Sequence, residues 1–209
     1  METCKYKVGI FKRVTDVLLS CILLVILSPI EVIIALIVKI DNPHLPVIFK
    51  QKRIGRYGRE FYIYKFRTMS ENAPHMMPAY MLSDDSLYIS DTGMFLRLTK
   101  LDELPQLFNV LKGDMSFIGP RPLIKEEGKI HNERLVNGVY SIRPGITGLA
   151  QINGGNTLND REKLKMDLIY LSNYDFSLDI YICVKTVTYM LKTISVMVEK
   201  KRSGDMVCG

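Results

Sequence analysis

The pattern of hydrophobic and polar residues separates an apolar N-terminal segment from a mixed remainder. Residues 17–38 are almost continuously apolar, interrupted by Ser20, Ser28, Pro29 and Glu31. As one straight helix, about 22 residues extend ~33 Å, which is enough to cross a bilayer. Because no small-residue cleavage site follows, the segment is predicted to be a membrane anchor rather than a signal peptide.

Basic residues flank this segment on both sides. Lysine and arginine favour the cytoplasmic side of a membrane, so both flanks satisfy that preference only if the chain enters the membrane and returns. Ser28 and Pro29 lie at the middle, where proline bends a helix and leaves arms of about 11 residues, ~16 Å each. We therefore predict a re-entrant helix, with an ordinary spanning helix as the alternative. The flanking basic residues are Lys5, Lys7, Lys12 and Arg13 before it, and Lys39, Lys50, Lys52, Arg53, Arg56 and Arg59 after it.

Two short strands are predicted next, at residues 47–49 and 61–66, around a basic glycine-containing turn at 55–59. Strand alternation places Lys65 and Arg67 on one face, where two cations could grip a diphosphate; a solvated edge would show the same pattern. Further on, residues 160–171 predict a helix, with Ser177 as the N-cap of another at 178–198. That last helix is too polar to span a membrane, so it either lies on the membrane or packs on the core.

Two adjacent acids, Asp102 and Glu103, stand just before Pro105. With Asp102 as an N-cap, Pro105 falls in the first helical turn, where proline is tolerated. The helix that follows carries apolar residues at helical spacing: Leu104, Leu107, Phe108 and Leu111.

A helix N-terminus attracts phosphate, and Arg121 between two prolines would be a stiff phosphate clamp. Taken alone, however, such an acid pair is more often just a cap. The Arg143-Pro144-Gly145 sequence indicates a tight turn of type II geometry.

Composition bounds the remaining choices. The 209 residues carry a net charge of +6, so an anionic partner such as phosphate, nucleic acid or an anionic membrane is expected. The 4 cysteines form no CxxC pair and the 3 histidines show no metal-ligand spacing, which excludes an obvious zinc site. The length suits a membrane anchor at residues 1–40, a catalytic domain at 41–198 and a flexible tail at 199–209.

Five motifs occur in one order along most of the chain. They are KFRTM at 65–69, LDELPQL at 101–107, NVLKGDM at 109–115, GPRP at 119–122 and RPGITG at 143–148. Together they resemble the signature of the bacterial sugar transferases, specifically the small monotopic phosphoglycosyl transferases. Two positions depart from the family pattern, Leu149 for a usual tryptophan and Gly155 for a frequent arginine, and these leave the sugar and nucleotide preference open.

The resemblance implies an initiating phosphoglycosyl transferase. A phosphosugar would pass from a UDP-sugar to polyprenyl (undecaprenyl) phosphate, releasing UMP, as the first step of capsule, exopolysaccharide, O-antigen or glycoprotein glycan assembly. Asp102 would be the nucleophile that forms an aspartyl-phosphosugar intermediate, and Glu103 would assist as a metal ligand or local base. Mg²⁺ would bind Asp102 and Glu103. The basic residues that would bind phosphate are Lys65, Arg67, Arg97, Arg121 and Arg143.

The resemblance also implies an architecture: an α+β, mostly helical membrane-associated domain with a short β-hairpin. The anchor would sit in one leaflet, kinked at Ser28 and Pro29, with the domain on the cytoplasmic face of the bacterial inner membrane. Nucleic acid would not be a partner.

Two other function classes stay open from the residues alone: an aspartate-dependent hydrolase of lipid diphosphates, and a non-catalytic, membrane-anchored basic binding module. The transferred sugar, the pathway and a homo-oligomeric state are also open.

Overall fold

The computed structural model describes residues 2–70 and 88–202. The described part is mostly helical with two small sheets, which confirms the predicted class. Its helices are α1 (Glu2–Asp41), α2 (Asp91–Leu98), α3 (Gln106–Lys112), α4 (Gly128–Val136), α5 (Leu149–Ile152), α6 (Asp160–Ser172) and α7 (Phe176–Arg202). Its strands are β1 (Ile48–Ile54), β2 (Glu60–Phe66), β3 (Ser116–Ile118) and β4 (Gly145–Thr147).

Helix α1 is long and apolar enough to cross a membrane, by length and composition, over Gly9–Asp41. Most of its side chains face away from the protein: only 11% of its most apolar window is buried. The helix continues through Pro29, and the Ser28 hydroxyl donates a hydrogen bond to the Val25 carbonyl oxygen at 2.8 Å. Serine bonding of this kind bends helices, and proline removes the regular bond.

The N-terminal half of α1 is bonded to the domain by charged side chains. Lys12, Arg13 and Asp16 each reach a different element. Such buried charges are stable only when they are paired or hydrogen-bonded, and Asp16 is only 5% exposed. The anchor is therefore part of the domain's own packing. The partners are Asp179 on α7, the carbonyl oxygens of Val110 and Leu111 on α3, and the Ser116 hydroxyl and Phe117 N–H on β3.

The C-terminal half of α1 also packs on the domain, but through apolar side chains. Ile34 and Val38, at 4% and 2% exposed, form a core cluster with Phe66 on β2 and Leu96 on α2. Two parts of α1 separated by Ser28 and Pro29 thus contact one folded domain.

Strands β1 and β2 form the predicted antiparallel hairpin, although β1 is longer than expected. Lys65 pairs with Phe49 across the hairpin. Of the β2 residues, Ile63 and Phe66 are buried, because the strand packs on α3 and on α1 from different sides.

The predicted type II turn at Pro144 and Gly145 is wrong. Gly145 begins β4, which pairs in parallel with β3, and its φ is not positive. Glycine is required there for a different reason: a Cβ would lie 2.1 Å from the Gly119 nitrogen. The two backbones approach too closely for any side chain, and this juxtaposition brings the 143–148 motif against the 119–122 motif.

Helices α6 and α7 close the domain. α6 begins as predicted, with Asn159 and Glu162 forming a capping box. α7 begins at Phe176, and the Asp175 carboxylate rather than Ser177 caps it by accepting from the Leu178 N–H at 2.7 Å. Ile182 on α7 is fully buried against Ile118, while many other apolar side chains of α7 are exposed.

Candidate active site

The acid pair, Asp102 and Glu103, lies in a 3-10 turn, Leu101–Glu103, and not at a helix N-cap. Pro105 occupies the cap position of α3, so the predicted boundary is wrong by one turn. Lys100 precedes the turn with a φ of 60°, a left-handed conformation that is strained for a lysine. Strained backbone of this kind is often found at functional sites, where the surrounding structure holds it in place.

The apolar face expected on α3 is also only partly correct. Leu107 is buried, but Phe108 is 48% exposed, and the fully buried residues are Asn109 and Val110. Val110 packs on Ile63 of β2. The face of α3 that packs on the domain therefore differs from the predicted apolar face.

Asn109 explains why a polar residue occupies this buried face. Its side-chain amide donates to the Tyr62 carbonyl oxygen at 2.7 Å and accepts from the Tyr64 N–H at 3.0 Å. The amide thus satisfies the free edge of β2 as a neighbouring strand would. It fixes α3, and the acid pair before it, against the strand that carries Lys65.

The C-terminal end of α3 is held by two arginines. Arg13 donates to the carbonyl oxygens of Val110 and Leu111 at 2.6 and 2.9 Å, and Arg143 donates to that of Gly113 at 2.8 Å. Cationic side chains suit these otherwise unpaired carbonyl groups. Arg143 therefore lies at the opposite end of α3 from the acid pair, where its contacts favour a role in holding the helix.

Lys65 is the cation nearest to the acid pair. Its Nζ lies 2.6 Å from Glu103 Oε1 and 4.0 Å from Asp102 Oδ2. Burial alone would raise the pKa of Glu103, but Lys65, Arg121 and Lys100 together lower it to about 2. Glu103 is consequently ionised at any physiological pH.

Asp102 has the opposite electrostatic setting. It is 6% exposed, and burial raises its pKa above the ordinary value although Lys65 opposes the shift. The neighbouring Glu103 charge raises this pKa further. Asp102 Oδ1 is buried with no hydrogen-bond partner among the described residues. A carboxylate that is poorly stabilised by its surroundings retains basicity and nucleophilicity.

The other predicted phosphate-binding residues are spread around this pair. Arg97 on α2 donates to the Thr68 hydroxyl at 3.0 Å, and its charge lowers the pKa of Asp102. Arg121 is exposed, and its charge lowers the pKa of Glu103. Arg67 lies toward β1, donating to the Pro46 carbonyl oxygen with its guanidinium 5.5 Å from the Phe49 ring centre. The structure thus brings Lys65, Arg97 and Arg121 toward the acid pair.

Comparison with known proteins identifies the group to which this arrangement belongs. The family model described as bacterial sugar transferase matches residues 7–193. This chain is a member of the bacterial sugar transferase family. The resemblance carried by the five motifs is therefore confirmed.

Several relatives in the family are similar over most of this chain. The sugar transferase EpsL of Bacillus subtilis is 39% identical and is matched over 87% of this chain and 88% of its own length. A UDP-glucose:undecaprenyl-phosphate glucose-1-phosphate transferase of Klebsiella pneumoniae is 41% identical over 85% of this chain. A UDP-N-acetylgalactosamine-undecaprenyl-phosphate N-acetylgalactosaminephosphotransferase of Aeromonas hydrophila is 37% identical over 86% of this chain. The chain spans 39% and 43% of the lengths of these last two proteins.

The sequence analysis missed two basic residues whose charges act on the acid pair. Lys100 lowers the pKa of both acids. Its position two residues before Asp102 is the sequence feature that could have identified it as part of the site. Arg53 on β1 is mostly buried, and burial together with the Arg121 charge lowers its pKa to about 10. The Glu103 charge opposes this shift. Because Arg53 is far from Glu103 in the sequence, no local pattern indicates that their charges interact.

The acid pair also suits a divalent cation. Mg²⁺ in proteins commonly uses one or two carboxylates together with substrate phosphates and water. Asp102 and Glu103 supply two carboxylates, one with an unpartnered oxygen. Among the side chains that the structure describes, no group of three or more His, Cys, Asp or Glu residues is placed to hold a metal ion.

The low pKa of Glu103 predicts a specific pH dependence of stability. A carboxyl group whose pKa falls from 4.5 to about 2 on folding contributes stability above pH 4.5, which is lost as the pH falls toward 2. The contribution is about 3 kcal/mol at neutral pH. Glu103→Gln should remove it, so the difference in unfolding free energy between wild type and variant should shrink across that pH range.

Denaturant titration in detergent micelles at several pH values measures this difference. Glu60→Gln is the matched control, because Glu60 forms an exposed ion pair with Lys52 on the same hairpin and should contribute little at any pH. If the difference in unfolding free energy between wild type and Glu103→Gln stays constant from pH 6 to pH 2, the low pKa assigned to Glu103 is contradicted.

Proposed function

We propose that this protein transfers a sugar 1-phosphate from a UDP-sugar to polyprenyl (undecaprenyl) phosphate and releases UMP. The observation that carries the proposal is Asp102, a buried carboxylate with an unpartnered oxygen beside an ionised Glu103. Membership of the bacterial sugar transferase family supports the same reaction, since two relatives are named as transferases of a sugar phosphate to undecaprenyl phosphate.

The chemistry proceeds in two displacements at one phosphorus atom. An Asp102 carboxylate oxygen attacks the sugar-bearing phosphorus of the donor, and the bond from that phosphorus to the bridging oxygen breaks. UMP leaves with the bridging oxygen, so an aspartyl-phosphosugar remains on the protein. A phosphate oxygen of the lipid then attacks the same phosphorus and expels the Asp102 carboxylate, giving a diphosphate-linked lipid sugar.

The surrounding cations have distinct roles in this scheme. Lys65 keeps Glu103 ionised and lies 4.0 Å from Asp102, so it limits protonation of the nucleophile. Arg97, Lys100 and Arg121 present positive charge to the phosphate oxygens, where negative charge must be accommodated as UMP leaves. Asp102 and Glu103 would hold Mg²⁺, which when bound neutralises charge on the donor diphosphate.

The reaction must take place at a membrane surface, because one substrate is a lipid and the other is soluble. We propose that α1 enters a single leaflet, bends at Ser28 and Pro29, and returns, leaving the domain on the cytoplasmic face of the bacterial inner membrane. Lys12 to Asp16 and Ile34 to Val38 contact the same domain. In a spanning helix, the hydrocarbon core of ~30 Å would separate these two contact regions. Their common partner supports the re-entrant course.

The reaction predicts a measurable loss in Asp102→Asn. An amide is a poor nucleophile and carries no charge, so UMP release should fall at least ~10³-fold, while folding and membrane association persist. Asp160→Asn is the matched control, because Asp160 pairs with Lys163 within α6, a helix that carries neither the acid pair nor its neighbouring cations, and should leave turnover near normal. The assay uses purified membranes, Mg²⁺, polyprenyl phosphate and a panel of UDP-sugars.

The same assay separates the competing functions. UMP release with one donor, and only when the lipid phosphate is present, supports the transferase and identifies the sugar. Release of UMP without a lipid product would indicate a hydrolase that passes the intermediate to water. Near-normal turnover by Asp102→Asn would reject the nucleophile.

The re-entrant anchor predicts that the N-terminus and the domain share one side of the membrane. A tag at the N-terminus should be protected from an impermeant label in intact cells and labelled after lysis, like a tag at the C-terminus. A Ser28→Leu/Pro29→Leu variant tests the bend, because it restores a regular helix long enough to span. Labelling of the wild-type N-terminal tag from outside intact cells would contradict the proposed course.

A further inference from the structure

The loop that carries Arg121 is held through four consecutive carbonyl groups. Prolines at 120 and 122 have no N–H to donate, so the loop is fixed mainly by what its carbonyl oxygens accept. Residues 120–123 each accept one hydrogen bond, from three parts of the fold: β4, α4 and the end of β1. The donors are the Gly145 N–H to Pro120, Arg134 Nη1 to Arg121, Arg53 Nη1 to Pro122 and the Ile54 N–H to Leu123, at 2.9, 2.6, 3.2 and 2.8 Å.

One of these donors, Arg134 on α4, belongs to a buried ion pair. Its Nη2 lies 2.6 Å from Asp167 Oδ2 on α6, and both side chains are only 2% exposed. A buried ion pair is weak evidence for stability, because apolar residues of similar volume often replace such pairs without loss. The Arg134–Asp167 pair therefore needs an explanation beyond holding α4 against α6.

Arg134 makes a second contact through its other terminal guanidinium nitrogen, Nη1. The Asp167 carboxylate lies beside Nη2 as its ion-pair partner, while Nη1 donates to the Arg121 carbonyl oxygen. A planar fork can hold two acceptors in fixed directions, which a single ammonium cannot do. The backbone of Arg121 is thus held by a buried side chain of α4, 13 residues further along the chain.

Arg121 itself points its side chain to solvent, and its charge acts on Glu103. A long exposed side chain has many rotamers, so where its guanidinium can reach depends on where its backbone is fixed. A small displacement of a charge that faces a reacting phosphate is costly to catalysis.

We propose that Arg134, oriented by Asp167, is a positioning residue that sets Arg121 for phosphate transfer. The inference rests on the proposed function, in which Arg121 faces the donor phosphates. Arg134 and Asp167 touch no substrate in this account and act through the loop backbone alone.

The test exchanges the ion pair for apolar residues. Arg134→Met with Asp167→Leu should preserve the folded protein, because both charges are removed together. It leaves the Arg121 carbonyl without its donor, so kcat/KM for the UDP-sugar should fall roughly 10- to 100-fold. Full activity in a stably folded exchange variant would show that the pair serves only to pack α4 on α6 and would overturn the proposal.

A double-mutant cycle distinguishes positioning from general damage. If Arg134 acts through Arg121, the exchange should lower kcat/KM by less than about twofold in an Arg121→Ala background, where nothing remains to be positioned. An equal loss in both backgrounds would overturn the proposal. Tyr170→Phe is the control for the loss of buried hydrogen bonds elsewhere in the domain, because Tyr170 is 1% exposed and its hydroxyl donates to Asp179 and to the Ile118 carbonyl oxygen.

The outcomes also separate this inference from the proposed function. If Arg121→Ala alone keeps full turnover, Arg121 has no role in transfer and the positioning role falls, while the transferase function stands because transfer is observed. If wild type shows no turnover with any UDP-sugar and lipid phosphate, the proposed function falls instead. If Arg121→Ala is impaired and the exchange is not, only the positioning role falls. Should the apolar exchange not fold, Arg134→Gln with Asp167→Asn retains a neutral hydrogen-bonded pair that is too short to reach the loop, and the same kinetic loss is expected.

Discussion

Two buried carboxylates on neighbouring residues share one close lysine. The properties of the site depend on how strongly that lysine interacts with each of them. Lys65 lies 2.6 Å from Glu103 and 4.0 Å from Asp102, so Glu103 receives most of its stabilisation. Burial therefore dominates at Asp102 and raises its pKa, while the pKa of Glu103 falls. Environments that push the pKa values of a pair apart assign different roles to chemically similar groups. Here they leave Asp102 as the more reactive carboxylate and Glu103 as a fixed negative charge.

The fold supports this division by fixing α3 relative to β2. Asn109 joins the helix to the free edge of the strand that carries Lys65, and Arg13 and Arg143 hold the carbonyl groups at its far end. Because Arg13 belongs to α1, this long apolar helix takes part in positioning the acid pair. Its charged residues, on an otherwise apolar helix, are thus explained by their contacts with the domain.

The sequence analysis succeeded where a local pattern carries the information. Residues 17–38 are apolar enough to define the long helix α1, alternation defines the β1–β2 hairpin, and five motifs define the family. It failed where tertiary contacts decide. Gly145 was read as a turn residue because a glycine required by a close backbone approach looks the same in sequence as one required by a positive φ. Arg143 and Asn109 bind backbone groups of distant elements, and Arg53 reaches the site from β1, so no spacing in the chain reveals them.

The most direct test of the account is the mass of the protein after incubation with the UDP-sugar donor, with the lipid acceptor omitted. The account predicts an adduct equal to one phosphosugar, located by peptide mapping on Asp102, released when polyprenyl phosphate is added and missing from Asp102→Asn. An adduct on a different residue, or an adduct that persists in Asp102→Asn, would contradict the central role given to this carboxylate. So would rapid turnover by wild type through direct attack of the lipid, with no adduct formed at any time during single-turnover sampling.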